Sequence, residues 1–156
     1  MNCRNRGGFK PGWQKHHLLP RQLQKLKNLR PFWMVMKAQG VGFEDFTTNG
    51  VLLPGTESHA AEQKLPLHRG PHRHYTDVVA ERVAVIEKNW SQRRPACVLQ
   101  ADRDAAERLF LLQLALRRRL CSAAGPPVTL NRKDPVAQGV DFSTLDAMAD
   151  ALWSAV

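Results

Sequence analysis

The sequence predicts an α+β protein in a chain of 156 residues. Two observations carry that prediction. Two short apolar runs that stop at prolines, WQKHHLLP at 13–20 and VLLP at Val51–Pro54, read as strands. Two longer segments, from Pro71 to about Trp90 and from Asp102 to Leu120, place apolar residues at i, i+3 and i+4 and read as helices. With 43% hydrophobic residues the chain can bury a core, so wholesale disorder is excluded.

In chain order, residues 1–12 read as a flexible basic arm, broken by Gly7, Gly8, Pro11 and Gly12. The first strand follows and ends at Pro20. RQLQKLKNLR carries Leu23, Leu26 and Leu29 at helical spacing, and Pro31 is expected to separate it from a short helix, FWMVMKA, ending near Gly40. GVGFEDFTTNG is turn-rich, Asn49-Gly50 introduces the second strand, and residues 55–67 read as a loop. Pro71 suits a first helical turn, where its missing N–H has no partner to lose. Tyr75, Val78, Val79, Val83 and Ile86 then mark the buried face. Gln92–Pro95 is a boundary. In the next helix Leu109, Leu112, Leu116 and Leu120 read as core, and Arg117, Arg118 and Arg119 as surface charge complementing the helix dipole. Gly125–Pro127 breaks the chain, and Ser143 with Asp146 caps a last helix carrying Leu145, Met148, Leu152 and Trp153. The organisation expected is an arm at 1–12, a module at 13–90 and a mostly helical extension at 95–156 packed on it.

Charge narrows the partners. Lys plus Arg is 23 against 14 Asp plus Glu, a net +9, and no acidic residue precedes Glu44. A field of one sign attracts polyanions: nucleic acid first, an acidic protein second, anionic lipid third. No apolar run reaches bilayer-spanning length, and MNCRNRGGFKPG lacks the apolar region of a secretory signal. The expectation is therefore no membrane partner and a cytoplasmic protein as synthesised. Cys3, Cys97 and Cys121 are far apart with no C-x-x-C pair, which favours free thiols over a disulfide scaffold or a cysteine zinc site. The four tryptophans are scattered and form no base-stacking platform.

Histidine carries the chemistry. Five of the six fall in two segments, His16-His17 at the end of the first strand and HRGPHRHY with His68, His72 and His74, with Asn49 between them. Phosphodiester hydrolysis needs a base for water and a cation for the phosphate and leaving oxygen, and neutral imidazoles serve both, one as base and others as metal ligands. At 100° per residue His72 shares the inward face of Tyr75, Val79 and Val83, while His74 lies about 200° from it and faces solvent, so His74 is set aside. The Gly70-Pro71 turn can fold His68 back beside His72, and Arg69 in that turn can hold a phosphate oxygen. Glu44 and Asp45 fall in a turn and read as solvated.

The order H-H-x-x-P, then N-G-V-x-L-P, then H-R-G-x-H-x-x-Y before an amphipathic helix resembles the AHH family of nucleases. That family belongs to the His-Me finger superfamily, which includes HNH nucleases and shares a ββα-metal fold. The matching residues are His16, His17 and Pro20; Asn49, Gly50, Val51, Leu53 and Pro54; and His68, Arg69, Gly70, His72 and Tyr75. The family's Ala or Gly before the two histidines is Lys15 here, which removes no catalytic group and can contact a nucleic-acid backbone. The resemblance implies a ββα-metal core with flanking helices, His17 as general base, His16 as metal ligand with His68, His72 or both, Asn49 tying the loop and orienting the base, and Tyr75 packing under the site. Lys15, Arg21 and Arg69 would contact nucleic acid.

The function expected is thus a metal-dependent endonuclease, on DNA before RNA. Histidine ligands suit Zn²⁺, Ni²⁺ or Mn²⁺, while Mg²⁺ prefers the oxygens of phosphate and water. The resemblance further implies a bacterial toxin-type nuclease, delivered to target cells by a secretion system and countered by an acidic immunity protein. The alternative is a non-catalytic nucleic-acid-binding module in which the histidines hold a structural zinc.

Overall fold

The computed structural model describes residues 10–122 and Leu130. The arm up to residue 9 with Cys3, the Gly125–Pro127 break and the helix expected over Ser143–Trp153 lie outside the described residues. The architecture is α+β. Strand β1, Trp13–His17, pairs antiparallel with β2, Gly50–Pro54, with Trp13 opposite Pro54 and His17 opposite Gly50. Between them lie two 3-10 turns (Arg21–Lys25 and Lys27–Leu29), helix α1 (Arg30–Ala38) and a one-turn helix α2 (Phe46–Asn49). Helices α3 (Glu57–Gln63), α4 (Arg73–Arg93) and α5 (Val98–Cys121) follow β2. Among the described residues no helix is long and apolar enough to cross a membrane.

Five elements differ from the expectation. The segment 21–29 is not an α-helix, because Leu26 adopts an extended conformation between the two tight turns and points partly to solvent while Leu23 and Leu29 are buried. Pro31 does not interrupt a helix but lies in the first turn of α1, where its missing N–H costs nothing. Residues 55–67 are not all loop: Thr56 caps α3 by accepting from the His59 N–H at 3.4 Å, and Lys64 ends it in the left-handed conformation. Helix α4 starts at Arg73, later than Pro71, and α5 starts at Val98, earlier than Asp102.

The core is continuous across these elements. Leu18, Leu19, Phe32, Met36, Leu53, Tyr75, Val79, Val83 and Ile86 form one buried cluster with Leu109, Leu112, Leu116 and Leu120 of α5. A two-stranded ribbon cannot bury a core alone, and here the ribbon, α1, α4 and α5 share one core. Their turn is latched by Asp102, which accepts from the Trp90 indole at 2.7 Å and the Arg94 guanidinium at 2.8 Å. Of the three arginines expected at the surface of α5, only Arg118 is exposed: Arg119 is buried, and Arg117 reaches the carbonyls of Thr47 and Thr48.

Candidate active site

Side chains alternate across a strand, and this divides the residues of β1. Gln14 and His16 face one side, and Lys15 and His17 the other. On the first side His16 is buried, 3% exposed, against Tyr75, with ring centroids 4.7 Å apart. The rings of His68 and His72 meet it edge-on at 5.1 and 5.4 Å and lie 4.5 Å from each other. The turn that brings His68 beside His72 depends on Gly70, whose φ of 77° is a conformation a side chain disfavours. His72 is the residue before α4 rather than part of it, with φ −106° and ψ 59°, yet it still points inward. His74 is exposed.

The three imidazoles form a metal-capable group: each offers one ring nitrogen, and all three nitrogens lie within 4.8 Å of one another. Two of the rings are oriented from behind. His68 Nδ1 donates to the Gln14 amide oxygen at 3.0 Å, and His72 Nδ1 donates to the Leu130 carbonyl at 3.1 Å. Both bonds leave the Nε2 lone pair free, which is how metal-binding histidines are usually held. The third ring supplies the test of fit: His16 Nε2 is buried and has no hydrogen-bond partner among the described residues. A buried nitrogen without a partner is costly, and a cation shared with His68 and His72 would satisfy it.

Electrostatics keep these rings neutral. Burial, then the charges of His68, His72 and His17, pushes His16 down to about 2. Burial, then His72 and His17, pushes His68 down to about 4. Burial lowers His72, partly offset by its bond to Leu130. His17 is also lowered, by burial first, then by Arg21 and Lys15 against an opposing pull from Glu44. All four therefore carry lone pairs at neutral pH.

On the other side of the ribbon, Phe46 forms a platform. The His17 ring lies 6.4 Å from it, the Lys15 ammonium stands 3.8 Å over its face, and it packs so tightly on Gly50 that a β-carbon there would collide with the ring. His16 and His17 meet in a cleft of about 360 Å³, lined also by Lys15, Arg21, Gln22, His68, His72 and Thr76. Arg21 pairs with Glu44 at 3.0 Å. Arg69 does not line this cleft; it pairs with Glu57 of α3 at 3.2 Å. Asp45 caps α2 by accepting from the Thr47 N–H at 2.9 Å.

Asn49 is fully buried and does not touch a histidine ring. Its Oδ1 accepts from the Leu19 N–H at 2.7 Å, and its Nδ2 donates to the carbonyls of Leu19 and Phe43, each at 3.1 Å. Its backbone carbonyl accepts from the Leu18 N–H at 3.0 Å. It fastens the chain directly after His17 to the head of β2. Tyr75 donates to the Leu18 carbonyl at 2.7 Å, with its hydroxyl pushed up by burial.

Sequence reasoning missed Gln14, Phe46, Gln113 and Leu130. Strand alternation would have found Gln14, which shares the face of His16. No pattern points to Leu130, whose contribution is a backbone carbonyl.

Comparison with known proteins gives one match. A family model described as AHH, a nuclease family of the HNH/ENDO VII superfamily with conserved AHH, matches residues 1–109. The first position of that motif is Lys15 in this chain. No curated protein and no solved structure matches it.

Proposed function

Because the chain belongs to the AHH nuclease family of the HNH/ENDO VII superfamily, we propose that it is a metal-dependent endonuclease that hydrolyses phosphodiester bonds in DNA, with RNA as the alternative substrate. The observation that carries this reading is the buried His16 Nε2, without a hydrogen-bond partner among the described residues, beside His68 and His72 and one strand position from a neutral His17 in a basic cleft. His16, His68 and His72 would hold the ion. A three-histidine set leaves coordination positions open, as catalytic sites do and closed structural zinc sites do not. When bound, a divalent cation supplies positive charge to the phosphate and leaving oxygen.

The chain's own residues do the rest. His17, neutral and on the rim, takes a proton from water as its oxygen attacks phosphorus. The P–O bond to the leaving oxygen breaks, that oxygen takes a proton from solvent water, and the proton held by His17 returns to solvent. Arg21 and Lys15 hold flanking phosphates. Asn49 keeps the end of β1 in place and so aims His17. The imidazole set accommodates Zn²⁺, Mn²⁺ or Ni²⁺ directly and Mg²⁺ through added oxygens. A toxin-type role fits the same charge: the basic cleft suits an acidic immunity protein as inhibitor.

The test is plasmid nicking by purified protein with Mg²⁺, Mn²⁺, Zn²⁺ or Ni²⁺, with chelator, and with His17→Ala. Metal-dependent nicking abolished by chelator and by His17→Ala is expected. A wild-type protein that cuts under none of these ions overturns the enzyme reading.

A further inference from the structure

Gln113 lies on the buried face of α5 among Leu109, Leu112 and Leu116, 3% exposed. A polar side chain there requires a partner. Its Nε2 donates to Asn49 Oδ1 at 3.0 Å, while its own Oε1 has no partner among the described residues. With this bond the Asn49 amide is saturated: two N–H groups reach the carbonyls of Leu19 and Phe43, and the oxygen receives both Leu19 N–H and Gln113. One turn along α5, Arg117 donates to the carbonyls of Thr47 and Thr48, closing the end of α2. Both residues lie past residue 109, where the family match ends.

We propose that α5 is part of the catalytic apparatus, with Gln113 as a positioning residue that acts through Asn49 on the segment following His17. This rests on the nuclease reading above. His68 and His72 pack on the side of β1 that carries His16 and are oriented by Gln14 and Leu130 rather than by Asn49, so loss of Gln113 alters base placement and leaves metal binding intact.

The experiment compares wild type with Gln113→Met, which keeps the volume and removes the donor. Zn²⁺ affinity by titration, kcat and KM for nicking, and hydrogen exchange of the Leu19 amide are measured on the full chain. For Gln113→Met the expected result is a roughly tenfold fall in kcat with KM and Zn²⁺ affinity within about twofold, and faster exchange at Leu19 with global stability retained. Wild-type kcat in Gln113→Met, or a loss of kcat matched by equal loss of Zn²⁺ affinity, overturns the proposal. Failure of the wild type itself to nick overturns the nuclease reading instead, and unchanged Leu19 exchange in Gln113→Met then rejects the positioning link on its own.

Discussion

Asn49 holds both backbone groups of Leu19 at once, accepting from its N–H at 2.7 Å and donating to its carbonyl at 3.1 Å. A side-chain amide here does what a third strand would do, pairing with the chain just beyond the end of β1. The strand that carries His16 and His17 stops at His17, yet its continuation is fixed as firmly as if the ladder went on. The register of β1 is thereby fixed, since a one-residue slip would exchange the face that carries His16 for the face that carries His17.

Replacing Asn49 by Ala strands the Leu19 N–H and the Gln113 amide and leaves the carbonyls of Leu19 and Phe43 without their donor. At about 1–3 kcal/mol for a buried group left unsatisfied, a loss of about 3 kcal/mol or more is expected. Asn49→Asp keeps the acceptor but sets a carboxylate against two carbonyls, and should be nearly as harmful. Denaturant midpoints measure both. An Asn49→Ala protein as stable as wild type would show that this bonding is not what fixes the loop.

Gln14 orients His68 through Nδ1, so Gln14→Leu should weaken metal binding without removing a ligand. Partners of this kind are typically worth about 10–100-fold in affinity. Calorimetric titration with Zn²⁺ or Ni²⁺ is the check, with His68→Ala as the larger expected loss. Equal affinity in Gln14→Leu and wild type would mean that the 3.0 Å contact does not set the ring.

How much of this was legible in the sequence depended on whether a residue belongs to a pattern. The Tyr75–Val79–Val83 face recurs at helical spacing, and the two histidine clusters with Asn49-Gly50 between them form an ordered set of motifs that is read directly from the chain. Lys15 and Arg21 were identified by charge, and both line the cleft. Arg69 carries the same charge, but it pairs with Glu57 of α3 and does not line the cleft. That helix escaped notice because α3 is only seven residues long and rests on the Thr56 cap more than on periodicity. Gln113 was invisible for a different reason: one polar residue in a leucine-rich helix has meaning only through a partner 64 positions away.

The metal-free protein should lose stability in acid. His16 and His68 are pushed down to about 2 and about 4 from an ordinary 6.5, so the unfolded chain binds protons that the folded chain refuses. Stability is therefore full above pH 6.5 and falls as pH drops below it, continuing until the folded-state values are reached. For His16 alone, a drop to pH 5 costs on the order of 2 kcal/mol at 1.36 kcal/mol per unit. Melting temperature from pH 8 to 5, in chelator and with saturating Zn²⁺, reads this out: the chelated protein should fall below pH 6.5, and bound metal should hold the curve up to lower pH. A flat chelated curve would mean that the cluster is not neutral and buried.

Arg21 and Glu44 form an exposed pair at the mouth of the cleft, with side chains 60% and 67% accessible, and pairs of that kind add little stability. Arg21→Ala should therefore leave the melting temperature nearly unchanged while weakening DNA binding. Each phosphate contact adds about 0.9 to the slope of log affinity against log salt, so the slope should fall by about that amount. Glu44→Gln should act in the opposite direction. It frees the guanidinium for phosphate and removes the one nearby charge that raises His17, so DNA binds more tightly and the acid limb of the rate profile moves to lower pH. Binding isotherms at several salt concentrations and a pH–rate profile separate the two effects. If Arg21→Ala keeps the wild-type slope, Arg21 stays with Glu44 and the phosphates are held by other residues.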